Sequence, residues 1–189
     1  MIHSPKFIAL LDACVLYPAP IRDLLLNLAD VDLYSPKWTD RIHQEWTRNL
    51  LLNRPELTAD QLERTTQAMN NAFPDANVVH YEALIDSLAL PDPDDCHVLA
   101  AAIRCQADVL VTANLKDFPS AILSLFDLEA QHPDEFIANL IDLDSRRALM
   151  AFDQQVSYLK KPPMTPEQVL ENFKKVGLRV TADLLYSLL

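Results

Sequence analysis

The stretch LPDPDDCHVLAAAI, residues 90–103, places three aspartates, Asp92, Asp94 and Asp95, within four positions directly ahead of an apolar helical run. A helix N-cap needs one side-chain oxygen, so the surplus charge asks for either a plainer reason or a cation. Further acids stand where they could join it. Asp12 closes the apolar run FIALLD, Glu45 lies in DRIHQEW, and Asp117 lies in TANLKDF. Carboxylates gathered without compensation repel one another and push their pKa values up. A hard divalent cation removes that conflict: Mg²⁺ or Mn²⁺ takes oxygen ligands, keeps several waters, and uses one or two carboxylates together with substrate phosphate oxygens. Thr112 and Asn114 precede Asp117 and are suited to cap its loop or to orient a water.

Each of these residues also has a plainer role. Asp95 suits the start of a helix, where the dipole favours negative charge. Glu45 follows Arg41 by four residues, the spacing of an exposed helical ion pair. Asp117 before Phe118 and Pro119 suits a turn. Asp12 is harder to explain away, because a carboxylate ending a buried strand has few inexpensive structural roles. His43, His80 and His97 show no ligand spacing and read as core or surface residues. A calcium loop is excluded, since DPDDCHVLAAAI lacks the central glycine and has Ile103 where the twelfth-position Glu belongs. With Gly177 as the single glycine, glycine-rich phosphate cradles are excluded as well.

The elements that must position these acids can be read from the hydrophobic pattern. KFIALLDACVLYP reads as a short buried strand followed by a proline turn, with Asp12 at the strand's end. IRDLLLNLAD reads as a helix and DLYSP as a second short strand stopped by its proline. Residues 38–53 form a helix with Trp38, Ile42, Trp46 and Asn49 to Leu50 along one stripe, ended by Pro55. Thr58 caps the next helix. NVVHYEAL is ambiguous between strand and helix start, with Val78 and Val79 favouring the strand. Residues 94–105 form a helix of small and apolar residues, and Val109–Val111 is the clearest second buried strand. Strands separated by helices predict a parallel sheet, in which ligands bind beyond the strands' carboxyl ends. From about residue 131 four helical segments follow one another without a strand.

At 189 residues the chain suits one domain with an appendage. Its formal charge of −11 argues against a general polyanion binder, whose affinity rests on Lys and Arg. The charge is uneven: residues 1–136 carry 9 basic against 21 acidic side chains, and residues 137–189 carry 7 against 6. A polyanionic substrate would therefore be met by local basic groups, by metal, or by the tail. No apolar run approaches the roughly 20 residues that cross a bilayer, and Asp12 falls where a signal peptide needs its apolar centre, so no membrane association and a cytoplasmic location are expected. Cys14, Cys96 and Cys105, an odd number without CxxC spacing, are expected to be reduced core residues.

LLDACVLYP, SPKWTDRIHQEWTRNL, LPDPDDCHVLAAAI, ADVLVTANLKDFP and HPDEF occur in an order and spacing that resemble the PIN-domain ribonucleases, the VapC-type toxins of toxin–antitoxin pairs in particular. The resemblance implies an α/β fold, a PIN-like α/β/α sandwich with a central parallel sheet over residues 1–136, followed by an all-helical extension over 137–189. It implies an endoribonuclease requiring Mg²⁺ or Mn²⁺. By position, Asp12, Glu45, Asp95 and Asp117 correspond to the four acids, with Asp12, Asp95 and Asp117 as metal ligands. Asp92 corresponds to a further acid of this subgroup, and Thr112 and Asn114 to supporting polar residues; Asp94 has no counterpart. The implied partners are RNA, a small antitoxin protein and a second copy of the chain. Tyr17 and Trp38 are candidate stacking partners for unpaired bases, and Arg22, Lys37, Arg41, Arg48 and Lys116 are candidate phosphate contacts. Core packing and solubilisation are the plainer roles for these aromatics and cations.

Two other readings remain open from the sequence. A phosphoaspartyl protein also sets an Asp after its first strand, although here Cys14 occupies the position two residues on where the phosphatases carry a second Asp. A non-catalytic binding module of the same fold would use the helical tail as its interaction surface.

Overall fold

The computed structural model describes residues 7–189. Residues 1–6, including Lys6 at the expected start of the first strand, lie outside them. Four short strands, β1 (Ile8–Leu11), β2 (Ser35–Lys37), β3 (Val109–Val111) and β4 (Glu129–Gln131), form one parallel sheet in the order β2-β1-β3-β4. The central strands are buried because they carry only apolar side chains where the sheet is covered: Ala9, Leu10, Leu11, Leu110 and Val111 are inaccessible to solvent.

After β1 the chain turns through α1 (Ala13–Leu16) and α2 (Ala19–Asp30) to reach β2 on one side. From β2 it crosses back over β1 to β3, through α3 (Asp40–Asn53), α4 (Ala59–Ala72), α5 (Glu82–Ile85) and α6 (Cys96–Arg104). A last short helix, α7 (Ser120–Leu123), leads to β4. The direction of strand succession therefore reverses between β1 and β3. A crevice opens at such a switch point, beyond the carboxyl ends of the strands.

Capping fixes where the longer helices begin. The Thr39 hydroxyl accepts from Ile42 N at 3.0 Å and starts α3; Thr58 with Gln61 closes a capping box on α4. The buried stripe of α3 is Ile42, His43, Trp46 and Leu50, while Asn49 faces solvent. In α6 every residue from Cys96 to Ala102 is buried, and its alanines allow close packing on β1.

Three local expectations are corrected. The second strand is not stopped by its proline: Pro36 lies inside β2, opposite Ala9, which an edge strand tolerates because no ladder donor is needed on its outer side. NVVHYEAL forms no strand beyond an isolated bridge from Asn77 to Trp38; His80 adopts a left-handed φ of 62°, which ends the extended run before α5. Strand β4, the polar EAQ, was not anticipated, since it has neither alternation nor an apolar run.

The tail forms α8 (Pro133–Leu143), α9 (Ser145–Tyr158), α10 (Pro166–Lys175) and α11 (Arg179–Leu188). Gly177, at φ 94°, turns the chain out of α10. Helix α9 packs along α2, and α11 packs on α8 and α10, so their buried faces join the same core as the sheet. Asp134 in α8 receives Thr181 N at 2.8 Å and Val180 N at 3.0 Å, supplying α11 with the cap its own Leu178 lacks. No helix among the described residues is long and apolar enough to cross a membrane.

Candidate active site

The register of β1 and β3 pairs Leu11 with Val111, so the next residues, Asp12 and Thr112, emerge side by side at the switch point. Asp12 is buried and well supplied with donors. Its Oδ1 accepts from Ala13 N at 2.7 Å, which caps α1, and its Oδ2 accepts from the Thr112 hydroxyl at 2.8 Å and the Cys14 thiol at 3.1 Å. The strand-ending carboxylate is thus paired, which corrects its expected lack of a structural role. Thr112 Oγ1 also accepts from Asn114 N at 3.0 Å, shaping the loop that follows β3.

Asp12 opens onto a cleft of about 1140 Å³ whose lining includes Tyr17, Arg41, Glu45, Arg48, Asp95 and Asn114. Asp95 precedes α6 but makes no side-chain cap bond; Asp92 instead caps the preceding single turn, Pro93–Asp95, by accepting from Asp94 N at 2.9 Å. Asp94 is exposed on the cleft wall. The Asp95 carboxyl is pushed up to about 6, first by burial and then by the negative charge of Asp12, Asp92 and Asp117, with His97 opposing. Glu45 projects from α3. Its Oε1 lies 2.8 Å from His97 Nε2 and 3.5 Å from Arg41 Nε.

A family model for the PIN domain matches residues 9–116, more than half of the sequence. The chain belongs to the PIN-domain family. A second model, the VapC50 C-terminal domain, matches residues 133–187. A Mycobacterium tuberculosis H37Rv protein named "Putative ribonuclease VapC50" is 40% identical over 77 residues, which cover 41% of this chain and 46% of that protein. The matched stretch therefore spans less than half of the relative's length. No solved structure matches.

In this PIN domain the expected acids fall into two groups. Asp12, Glu45 and Asp95 line one cleft; Asp117, in the single turn Leu115–Asp117, lies outside its lining but within electrostatic reach of Asp95. Among the described residues, no three His, Cys, Asp or Glu side chains stand as a ready-made metal cage. The donor chemistry nonetheless fits a hard cation. It consists of carboxylates with hydroxyl and amide oxygens, and the Asp95 carboxyl, raised first by burial and then by three neighbouring carboxylates, carries negative charge that such an ion would relieve.

Of the candidate RNA contacts, Tyr17, Arg41 and Arg48 line the cleft, and Lys116 is exposed on the β3 loop. The Tyr17 hydroxyl accepts from Asn53 Nδ2 at 3.2 Å, which steadies a half-buried ring. Trp38 cannot stack on a base: it is fully buried and its indole donates to Asn70 Oδ1 at 2.7 Å. Arg22 turns inward, donating to the Leu16 carbonyl at 2.9 Å with its guanidinium 4.8 Å from the Trp46 ring centre. Lys37 donates to the Asp75 carbonyl beside a separate depression.

Two residues of the site were not anticipated. Cys14, expected in the core, lines the cleft; burial first, then Asp12, pushes its thiol up to about 12, so it serves as a protonated donor. Its clue was its place two residues after the strand-ending Asp12. His97, read as a core or surface residue, is buried and also meets Glu45; its clue was its place two residues after Asp95.

Proposed function

We propose that this chain is a metal-dependent endoribonuclease that cleaves RNA phosphodiester bonds with Mg²⁺ or Mn²⁺, and that it serves as the toxin of a toxin–antitoxin pair. The observation that carries the nuclease reading is that Asp12, Glu45 and Asp95 line one cleft, with Asp95 free of any cap bond and its carboxyl raised by burial first and then by Asp12, Asp92 and Asp117. Uncompensated acids at a sheet's switch point are costly unless a cation is held there.

In this reading Asp12, Asp95 and Asp117 would hold the ion, with Asp92 contributing charge. When bound, a divalent cation supplies Lewis-acid charge that acidifies water and stabilises the departing oxygen. Glu45 orients the attacking water and accepts its proton. Thr112 and Cys14 keep Asp12 in place through the bonds at 2.8 and 3.1 Å, and Asn114 shapes the rim. Arg41, Arg48 and Lys116 meet phosphates, and Tyr17 stacks on an unpaired base. So narrow a basic lining in an acidic chain suits a single-stranded segment better than a long duplex.

The name of the mycobacterial relative supports the ribonuclease reading, and the VapC50 C-terminal match supports a toxin with residues 137–189 as its helical extension. The corresponding partners are a small antitoxin and a second copy of the chain, in the cytoplasm. A second reading, a non-catalytic PIN module, draws on the lack of a ready-made three-ligand cage among the described residues. Incubating the purified chain with end-labelled single-stranded RNA, with Mn²⁺ or with EDTA, separates the two. Cleavage that needs Mn²⁺ and is lost in Asp12→Asn supports the enzyme; no cleavage and no Mn²⁺ binding supports the module.

A further inference from the structure

We infer that His97 is a positioning residue that fixes the Glu45 carboxylate in the cleft. Its effect on catalysis rests on the nuclease reading above; the close contact itself does not. His97 Nε2 lies 2.8 Å from Glu45 Oε1, and its side chain is 1% exposed, held in the buried face of α6. The other ring nitrogen, Nδ1, is buried without a partner. A hydrogen on Nδ1 would leave a buried donor unpaired and would turn the Nε2 lone pair toward a carboxylate oxygen. A hydrogen on Nε2 makes a charge-assisted bond and leaves only an idle acceptor. Of the two neutral tautomers, the protein therefore favours the one that donates to Glu45.

Glu45 needs such a partner. On its own helix its charged partner is Arg41, whose Nε is 3.5 Å from the same oxygen and whose side chain is 46% exposed. An exposed pair of this spacing is weak and screened by salt, so it does not hold a side chain in one place. The buried donor comes from α6, a different element, and ties Glu45 to the helix that directly follows Asp95. Both donors meet Oε1, which leaves Oε2 as the oxygen available to the cleft that Glu45 lines. Arg41 lines the same cleft and can turn to a phosphate without releasing Glu45, because His97 stays. His97 is not among the cleft-lining residues and so acts through Glu45.

The test has two arms. In the unmodified chain, long-range ¹H–¹⁵N spectra of the histidine rings report the His97 tautomer: Nε2–H is expected, with its hydrogen exchanging faster in Glu45→Ala. An Nδ1–H tautomer, or an Nε2–H indifferent to Glu45→Ala, overturns the inference. In the second arm, His97→Leu and His97→Gln are compared with the unmodified chain on single-stranded RNA with Mn²⁺, after thermal melting has shown each variant folded. His97→Leu is expected to lower kcat roughly tenfold at nearly unchanged KM, as misorientation of a reacting group does. His97→Gln, whose amide N–H reaches about where Nε2 stood, is expected to recover most of that loss. Equal kcat in His97→Leu and the unmodified chain overturns the catalytic role. If the unmodified chain cuts no RNA, the nuclease reading fails, and the tautomer arm still decides whether His97 holds Glu45.

Discussion

The Thr112 hydroxyl donates to Asp12 Oδ2 across 2.8 Å, joining the carboxyl ends of β1 and β3 through two buried side chains a hundred residues apart. The same hydroxyl oxygen accepts from Asn114 N. Thr112→Val keeps the shape of the side chain and removes both bonds, and is expected to cost about 1–2 kcal/mol because a buried carboxylate oxygen loses the stronger of its two donors and keeps only the Cys14 thiol. Thr112→Ser is expected to retain most of the stability. Urea denaturation of the three proteins checks this, and a Val variant as stable as the original would contradict it.

Asp12→Asn separates charge from structure. Asparagine keeps the oxygen that accepts from Ala13 N, while its amide nitrogen, in place of Oδ2, can donate to Thr112 Oγ1 but leaves the Cys14 thiol without its acceptor, so stability is expected to fall by about 1–2 kcal/mol with the fold kept. The negative charge is gone, and Mn²⁺-dependent RNA cleavage is expected to fall roughly a hundredfold or more. Growth on expression gives a cellular check: the original chain should arrest it and the Asn variant should not. Equal arrest by both would end the nuclease account of toxicity.

Much of this was legible in the sequence because the signals are local. The apolar run ending at Asp12 and the VLV of β3 mark central strands of a buried parallel sheet, and Thr58 marks a helix start. What stayed hidden depends on long-range pairing. Strand β4 exists because β3 offers it an edge, and EAQ alone says nothing of it. Trp38 and Arg22 have surface-compatible types, yet the fold turns both inward, one to Asn70 and the other to the Leu16 carbonyl. His97 shows no ligand spacing, since its partner Glu45 arrives from another helix.

Arg22 and Arg48 should respond in opposite ways. Burial lowers the Arg22 pKa against the opposing pull of Asp23, and its side chain is engaged by a carbonyl and by the Trp46 ring. Arg22→Ala is expected to cost about 2 kcal/mol of stability, through lost packing, cation–π contact and an orphaned carbonyl. Arg48 is exposed in the cleft, and Arg48→Ala should leave stability unchanged. It should weaken RNA binding and make the slope of log affinity against log salt shallower by about 0.7, the loss of one phosphate contact on a single strand. Fluorescence anisotropy at several salt concentrations, on metal-chelated protein, measures both variants.

Asp134 tests how firmly the tail is joined to the rest. Its carboxylate caps α11 from α8, receiving the backbone N–H groups of Val180 and Thr181 within the buried interface of the two helices. Asp134→Ala leaves those donors unpaired and should cost about 2 kcal/mol or more. Asp134→Asn should cost less, since one acceptor oxygen remains. Amide hydrogen exchange should show the loss concentrated in the first turn of α11, and uniform loss of protection over the whole chain would argue against a local cap.

Asp95 gives the sharpest dependence on pH. Its carboxyl is raised from an ordinary 3.8 to about 6, by burial first and then by Asp12, Asp92 and Asp117. Without metal, the folded chain holds this proton to a higher pH than the unfolded chain does. The stability tied to the protonated form is complete below about pH 4 and is lost as pH rises through 6. Asp95→Asn should therefore stabilise the metal-free protein at pH 7 by about 1 kcal/mol, a figure already reduced for the partial exposure of the group, and should add nothing at pH 4. A divalent cation reverses the sign, because it binds the ionised acids. Mn²⁺ should raise the melting temperature of the unmodified chain at pH 7.5, do so much less at pH 5, and have little effect on Asp95→Asn at either. Melting curves across pH, with Mn²⁺ or with EDTA, read all of these at once. If Asp95→Asn gains nothing at pH 7 without metal, the acids are not crowded enough to call for a cation, and the argument from Asp95 to a metal centre fails.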